Sequence, residues 1–253
     1  MKEQLYTIPL NDAMNAQDEC PFCFIERNIE QDLLDFVLGS GSSYMEADIR
    51  EMTDKAGFCR THFKKMFDYG NTLGNAWILK THYRRMIDQM QKQFASFTPG
   101  KSSFLPRFHK PSESGNAIGT WIAQQEDSCY ICNQFRDTYA RYLDTFFHLY
   151  KQDPAFREKV EKSKGFCLPH FKDLCLGADK KLPDKDREAF YKTCLPLMLQ
   201  NMERIYGDVS WLIEKFDYRN KDADWKNSKD AIQRGMQKLK GGYPADGPYR
   251  SQK

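Results

Sequence analysis

Residues 57–63 read GFCRTHF and residues 165–171 read GFCLPHF, so one G-F-C-x2-H-F motif occurs twice in the chain. A C-x2-C pair precedes each copy, CPFC at residues 20–23 and CYIC at residues 129–132. The intervening segments have nearly equal lengths, 35 residues from 24 to 58 and 34 residues from 133 to 166. Matching motifs at matching spacing predict an internal duplication of two modules.

Three cysteines and one histidine are the donors of a closed, tetrahedral zinc site. A C-x2-C pair at a helix start or tight turn brings two sulfurs to one ion, and a C-x2-H pair adds two donors from a second segment. Helix N-termini beside the thiolates would favour their ionised form. We therefore expect each half of the chain to be clamped by one Cys3His site, with two zinc ions per chain. The predicted ligands are Cys20, Cys23, Cys59 and His62 in the first half, and Cys129, Cys132, Cys167 and His170 in the second.

Three other interpretations of these motifs stay open. Buried, reduced thiols beside core histidines would have to arise in the same arrangement twice. Redox-active C-x2-C chemistry is typical of a strand-rich, thioredoxin-like setting, which surrounds neither pair. An iron–sulfur cluster is the alternative cofactor, although most clusters use four cysteines.

The pattern of apolar residues predicts an all-α fold. Apolar residues recur at helical spacing along most of the chain, and period-two runs typical of strands are absent. Glycine-containing stretches separate the helices, including an expected loop from Gly177 to Asp184. The last helix is expected at about Trp225 to Leu239. The predicted organisation is a first helical metal-binding module (1–97), a Pro-, Gly- and Ser-rich linker (98–116), a second helical metal-binding module (117–220), and a C-terminal helix with a flexible tail (221–253).

Charge and composition argue against nucleic-acid and membrane partners. The formal charge is +3, and six thiolates with two divalent ions would bring it to about +1, which exerts little pull on phosphate backbones. Residues 217–253 are mildly basic, as a solvated helix face would be. No window approaches the ~18 consecutive apolar residues of a membrane span. The first residues lack the apolar core of a signal peptide, so a cytoplasmic location is expected.

Three residues outside the motifs have roles that the sequence leaves open. His82 lies beside Arg84 and Arg85, where it would either line a cleft between the halves or pack within a helix interface. Cys175 and Cys194 have no counterparts in the first half. Small buried side chains are the simpler interpretation of both, and a redox or auxiliary metal role is the alternative.

The paired CPxC and GFCxxHF sets resemble an uncharacterised bacterial family, a domain of unknown function found mostly in anaerobic Gram-positive bacteria. The resemblance covers most of the chain, including GNAWILKTHYRRM at residues 74–86 and DWKNSKDAIQRG at residues 224–235. The second set departs from the pattern, with Tyr130 where the first has Pro21, and keeps all four ligands. The resemblance implies a bacterial, cytoplasmic protein and supplies no activity.

No motif in the chain specifies a reaction. A glycine-rich phosphate loop, a G-x-S-x-G elbow, an H-E-x-x-H helix and a dinucleotide fingerprint are all absent from the sequence. We therefore assign no catalytic residue. The leading hypothesis is a zinc-binding protein whose two structural sites support a helical scaffold for an unknown protein or small-molecule partner. The alternatives are a thiol or metal redox sensor, an iron–sulfur protein, and an enzyme with a cleft near His82.

Overall fold

The computed structural model describes residues 5–41, 43–98 and 116–251. Over these residues the chain forms eleven α-helices and no β-strand, which confirms the predicted all-α class. None of the described helices is both long enough and apolar enough to cross a membrane. The predicted linker at 98–116 lies almost wholly outside the described residues.

The helices account for most of the described chain. Their bounds are α1 Thr7–Asn15, α2 Pro21–Leu38, α3 Ala47–Ala56, α4 Arg60–Tyr69, α5 Thr72–Ala95, α6 Ala117–Glu126, α7 Tyr130–Gln152, α8 Pro154–Lys162, α9 Leu168–Lys181, α10 Asp184–Glu214 and α11 Ala231–Lys240.

The chain divides into two compact units. Unit 1 consists of Met1–Ile29 and Asp137–Gly247, and unit 2 consists of Glu30–Arg136 and Pro248–Lys253. Each unit therefore combines segments that are remote in sequence, whereas the predicted segments 1–97, 117–220 and 221–253 are consecutive. Two of the three boundaries between the units fall inside α2 and α7, and the third lies between Gly247 and Pro248.

Aromatic side chains fill the core of unit 1. Phe146, on the aromatic face of α7, is fully buried. Its ring centroid lies 5.6 Å from that of Phe22, 5.5 Å from that of Phe156 and 6.1 Å from that of Phe166. Burial of such rings contributes a large part of the hydrophobic stabilisation of a domain. Phe22 and Phe166 lie inside the cysteine motifs, so this core fixes the motif backbones.

The core of unit 2 is mainly aliphatic. Side chains of α2, α4 and α5 pack against the start of α7, where the second C-x2-C pair lies. Each of the four elements therefore buries one apolar face against the others. The buried members include Leu34, Val37, Leu38, Met66, Tyr69, Ile78 and Ile131.

Gly177 lies within a helix, although we predicted a loop from Gly177 to Asp184. Helix α9 continues to Lys181, so that part of the loop prediction is wrong. A Cβ atom at position 177 would lie 2.4 Å from Cε2 of Phe147. The glycine therefore allows close packing between α9 and α7 and does not mark a turn.

The C-terminal region differs from prediction at both of its ends. The last helix begins at Ala231 and not at Trp225, because Lys226 has a φ of 50° and the Ser228 hydroxyl donates to the Trp225 carbonyl oxygen. The segment expected to be a flexible tail makes specific contacts in both units. Asp246 pairs with Arg27 at 3.1 Å in unit 1, and in unit 2 the Tyr249 hydroxyl donates to Glu30 at 2.6 Å.

We expect Gly177→Ala to lower the free energy of unfolding by about 1–3 kcal/mol, because the added methyl group overpacks the contact with Phe147. Gly207→Ala is the matched control, since Gly207 is also helical and a Cβ there meets nothing within 4 Å. That substitution should raise stability by about 0.5–1 kcal/mol through helix propensity. Urea denaturation measures both, and equal effects at the two positions would contradict the packing role of Gly177.

Candidate metal centres

The eight predicted ligands lie in two groups of four. Within each group, the ligand atoms all lie within 4.8 Å of one another. Site I belongs to unit 1, and site II belongs to unit 2. Site I consists of Cys20, Cys23, Cys167 and His170, and site II of Cys59, His62, Cys129 and Cys132.

The predicted pairing of the motifs within each half is wrong. We expected residues 20–23 to share a site with residues 59–62, and residues 129–132 with residues 167–170. The structure instead joins the C-x2-C pair of each half to the C-x2-H pair of the other. The reason is that each compact unit is built from segments remote in sequence. The duplication itself stays a prediction.

The donors of site I converge around the imidazole of His170. Its Nδ1 lies 3.0 Å from Sγ of Cys167, 3.3 Å from Sγ of Cys20 and 3.6 Å from Sγ of Cys23. The sulfurs of Cys23 and Cys167 are 3.7 Å apart. All four side chains are buried.

Site II has nearly the same internal distances. Nδ1 of His62 lies 3.2 Å from Sγ of Cys59, 3.3 Å from Sγ of Cys129 and 3.4 Å from Sγ of Cys132. The sulfurs of Cys59 and Cys132 are 3.8 Å apart. His62 and Cys129 are buried, whereas Cys59 and Cys132 are partly exposed.

These distances fit donors placed around a single ion. A tetrahedron with Zn–S of about 2.3 Å and Zn–N of about 2.0 Å has edges of about 3.8 Å between sulfurs and about 3.5 Å between sulfur and nitrogen. The sulfur–sulfur distances of 3.7 and 3.8 Å match that edge. They are far longer than a disulfide bond of about 2.05 Å. The two groups can therefore each hold one metal ion.

Each site lies at the N-termini of two helices. In site I, Cys20 directly precedes α2 and Cys167 is the N-terminal cap of α9. In site II, Cys129 directly precedes α7 and Cys59 caps α4. The partial positive charge of a helix N-terminus stabilises a thiolate. The C-x2-C and C-x2-H spacings thus place all six cysteines at or within the first turn of a helix.

A glutamate of α2 contacts the outer nitrogen of each imidazole. Nε2 of His170 lies 3.0 Å from Oε1 of Glu26, and Nε2 of His62 lies 3.5 Å from Oε1 of Glu30. Such carboxylates hold a metal-binding imidazole in the tautomer that leaves the other nitrogen free for the ion. The sequence prediction missed both glutamates, because their role depends on which histidine folds beside them.

The charged neighbours of His62 and Glu30 shift their pKa values in opposite directions. Burial alone would lower the pKa of His62, but a hydrogen bond with Cys129 and the nearby Glu30 carboxylate outweigh burial and raise that pKa to about 10. Burial alone would raise the pKa of Glu30, but the nearby His62 imidazole and hydrogen bonds from Lys65 and Tyr249 lower it to about 2. The Glu30 carboxylate is therefore ionised at neutral pH.

The two loops that carry the ligands are linked differently in the two sites. In site II the backbone N–H of Tyr130 donates to the carbonyl oxygen of Gly57 at 2.9 Å. Pro21 occupies the matching position in site I and has no N–H to donate. There, Nζ of Lys238 donates to the carbonyl oxygens of Glu19 and Lys164, each at 2.6 Å. A buried side chain from α11 thus takes the place of a backbone hydrogen bond.

Lys238 belongs to a buried network of charges beside site I. The lysine is 1% exposed and the Glu19 side chain 3% exposed. Oε2 of Glu19 lies 3.3 Å from Nζ of Lys238 and 2.5 Å from Nη2 of Arg204. These cations outweigh the effect of burial and keep the pKa of Glu19 below its usual value. Pairing of this kind is what allows charges to be buried at all.

His82 packs against the loop that leads to site II. Its Nδ1 lies 3.0 Å from the carbonyl oxygen of Asp54, and a Cβ at Gly57 would lie 2.9 Å from its Cε1. Gly57 has a φ of 61°, which glycine adopts without strain. The structure therefore gives His82 a contact with the Gly57 turn, two residues before Cys59.

Cys175 and Cys194 lie outside both groups. Cys194 is fully buried, and burial raises the pKa of its thiol to about 12. Cys175 is partly exposed. Among the described residues neither thiol joins a cluster of metal-binding side chains.

We expect Lys238→Met to lower the free energy of unfolding by about 3 kcal/mol, because it leaves Glu19 short of one partner and unlinks the two loops of site I. Lys240→Met is the matched control on the same helix, where the side chain is exposed, and it should change stability by less than about 0.5 kcal/mol. Urea denaturation measures both. If the Lys238→Met protein is as stable as the Lys240→Met protein, Lys238 does not link the two loops of site I.

Comparison with known proteins confirms the resemblance to a family of unknown function. No curated protein and no solved structure matches the chain. A model of one protein family, described as a family of unknown function (DUF6062), matches residues 1–246. The chain therefore belongs to the DUF6062 family of unknown function.

Proposed function

We propose that this protein binds two zinc ions, one at site I and one at site II, and that the ions hold together a helical scaffold for a partner molecule. The observation that carries the proposal is the convergence of six cysteines and two histidines into two four-donor groups at tetrahedral spacing. A cytoplasmic location accompanies the proposal, because a reducing compartment keeps the thiols free for metal.

The compactness of both groups favours a single ion over an iron–sulfur cluster. A cluster contains several iron and sulfide ions and holds its protein ligands farther apart than one ion does. Donor atoms within 4.8 Å of one another leave room for one ion. Three thiolates and an imidazole are also a common donor set for structural zinc.

Four protein donors at each site support a structural role for the metal. A catalytic zinc ion keeps one coordination position for water or substrate, whereas a structural ion is enclosed by four protein ligands. Binding at a closed site adds its free energy to folding. We therefore assign both ions the task of stabilising the helices that begin at their ligands.

An exposed apolar stripe on α5 supports the scaffold part of the proposal. Leu79, Tyr83, Ile87, Met90 and Phe94 follow one another at helical spacing in unit 2, and they are 37–64% exposed. Contiguous exposed apolar surface is typical of protein-binding sites. This observation favours a protein partner over a small molecule.

The stoichiometry of double variants tests both metal binding and the pairing of the motifs. We expect elemental analysis to find two zinc ions per chain. We also expect no absorption band at about 400 nm, where iron–sulfur clusters absorb strongly. Cys20→Ser with Cys167→Ser damages only site I and should leave one ion. Cys20→Ser with Cys59→Ser damages both sites and should leave none bound tightly.

Pairing within each half would reverse these two results, so the pair of variants separates the arrangements. Cys175→Ser is the control, because Cys175 lies outside both groups, and it should retain two ions. Absence of metal from the unmodified protein after purification without chelators would contradict the proposal.

Removal of metal should unfold the helices near the sites. Each ion would join helices that no disulfide bond connects. A chelator at neutral pH should therefore reduce the helical circular dichroism signal, and readdition of zinc should restore it. The control is a parallel sample with zinc-saturated chelator. An unchanged spectrum after verified metal removal would show that the ions are not structural.

A further inference from the structure

The two sites differ most clearly in how well their sulfurs are shielded. In site I the most accessible ligand is Cys23, at 6% exposure. In site II the sulfur-bearing residues Cys59 and Cys132 are partly exposed, although Cys129 and His62 are buried. We infer that site II is an oxidation-sensitive metal site, in which a hydroperoxide converts Cys59 and Cys132 to a disulfide and releases the ion. This inference rests on the proposed zinc binding.

The partly exposed cysteines of site II occupy the positions that the C-terminal segment covers in site I. Cys59 corresponds to Cys167 in the G-F-C-x2-H motif, and Cys132 corresponds to Cys23 in the C-x2-C pair. A Cβ at Gly241 would lie 3.6 Å from Sγ of Cys167 and 3.9 Å from Sγ of Cys23. The backbone just after α11 therefore lies against these two sulfurs and blocks the approach of an oxidant to them.

Cationic side chains accompany the two exposed cysteines. Arg60 directly follows Cys59 and is exposed. Arg136 is also exposed, and its Nε donates to the carbonyl oxygen of Cys132 at 3.3 Å. Partly exposed thiolates in an electropositive setting are the ones that react with peroxides. In site I the residue matching Arg136 is Arg27, which pairs with Asp246.

The geometry suits a disulfide between Cys59 and Cys132. Their sulfurs are 3.8 Å apart, so each needs to move by about 0.9 Å to reach the S–S bond length of about 2.05 Å. The two cysteines lie on separate elements, at the start of α4 and in the first turn of α7. A disulfide between Cys59 and Cys132 removes two of the four ligands. Only Cys129 and His62 remain, and two ligands are too few to hold the ion.

The reaction balances with hydrogen peroxide as the oxidant. One thiolate attacks a peroxide oxygen, so that an S–O bond forms, the O–O bond breaks and hydroxide leaves. The second thiolate attacks the resulting sulfenic sulfur, so that the S–S bond forms, the S–O bond breaks and a second hydroxide leaves. The two thiolates together lose two electrons, the peroxide becomes two waters after protonation, and zinc departs as the divalent ion.

The test uses the full-length, zinc-loaded protein in a Cys175→Ser background, which removes the partly exposed thiol outside the sites. Dilute hydrogen peroxide is added, zinc release is followed with a chromogenic indicator, and disulfides are mapped by mass spectrometry of proteolytic peptides. We expect one of the two ions to be released, with a Cys59–Cys132 disulfide as the main product. A dithiol with added zinc should restore the original content.

A charge variant provides a second readout. Arg136→Gln should slow the release severalfold by removing the cation beside Cys132. Arg84→Gln, at an exposed position on α5, should leave the rate unchanged.

Four outcomes would overturn the inference while zinc binding stands: release of both ions at one rate, release of neither, loss from site I first, or a disulfide between other cysteines. A protein that holds no zinc before peroxide is added fails the proposed function itself.

Discussion

Each site joins two chain segments that are distant in sequence, and this long-range convergence is the constraint on which both units depend. In site I the thiol of Cys20 meets His170 across 150 residues, and in site II Cys129 meets His62 across 67. The chain between the two motifs of a site must therefore fold back so that the motifs meet. The helices that begin at these ligands, α2 and α9 in unit 1 and α4 and α7 in unit 2, are therefore positioned by the donors at their first turns.

The ligand types could be predicted from sequence, but their pairing could not, and the reason is energetic. Cys23 is 144 residues from Cys167, its partner in site I, and 36 residues from Cys59, its predicted partner. A fourfold longer loop costs only about 1 kcal/mol more to close. A structural zinc site contributes about 10–16 kcal/mol. Proximity in sequence therefore decides little. In unit 1 the motif residues Phe22 and Phe166 both pack against Phe146 of α7.

The helical class could also be predicted, because it follows from local spacing, and a helix start was one of the two settings expected for each C-x2-C pair. The misassigned positions depend on distant neighbours. Glycine is typical of turns, yet Gly177 lies in a helix. A glycine is needed there because the ring of Phe147 leaves no room for a Cβ atom. Lys238 lies in a basic segment that is typical of a solvated helix face, yet it is 1% exposed and links two loops. Glu26 and Glu30 likewise become informative only once each has an imidazole beside it.

The contrast between the two sites separates what the motif determines from what its surroundings determine. The motif sets the donor types, the distances and the placement at helix N-termini, and these are nearly the same in both sites. Shielding comes from residues outside the motif: Lys238 and Gly241 lie against site I, whereas Cys59 and Cys132 are left partly exposed. The reactivity of a thiolate depends on its exposure as well as on its ionisation. Under the proposed metal binding, site I therefore holds the fold, whereas site II responds to oxidants in the solvent.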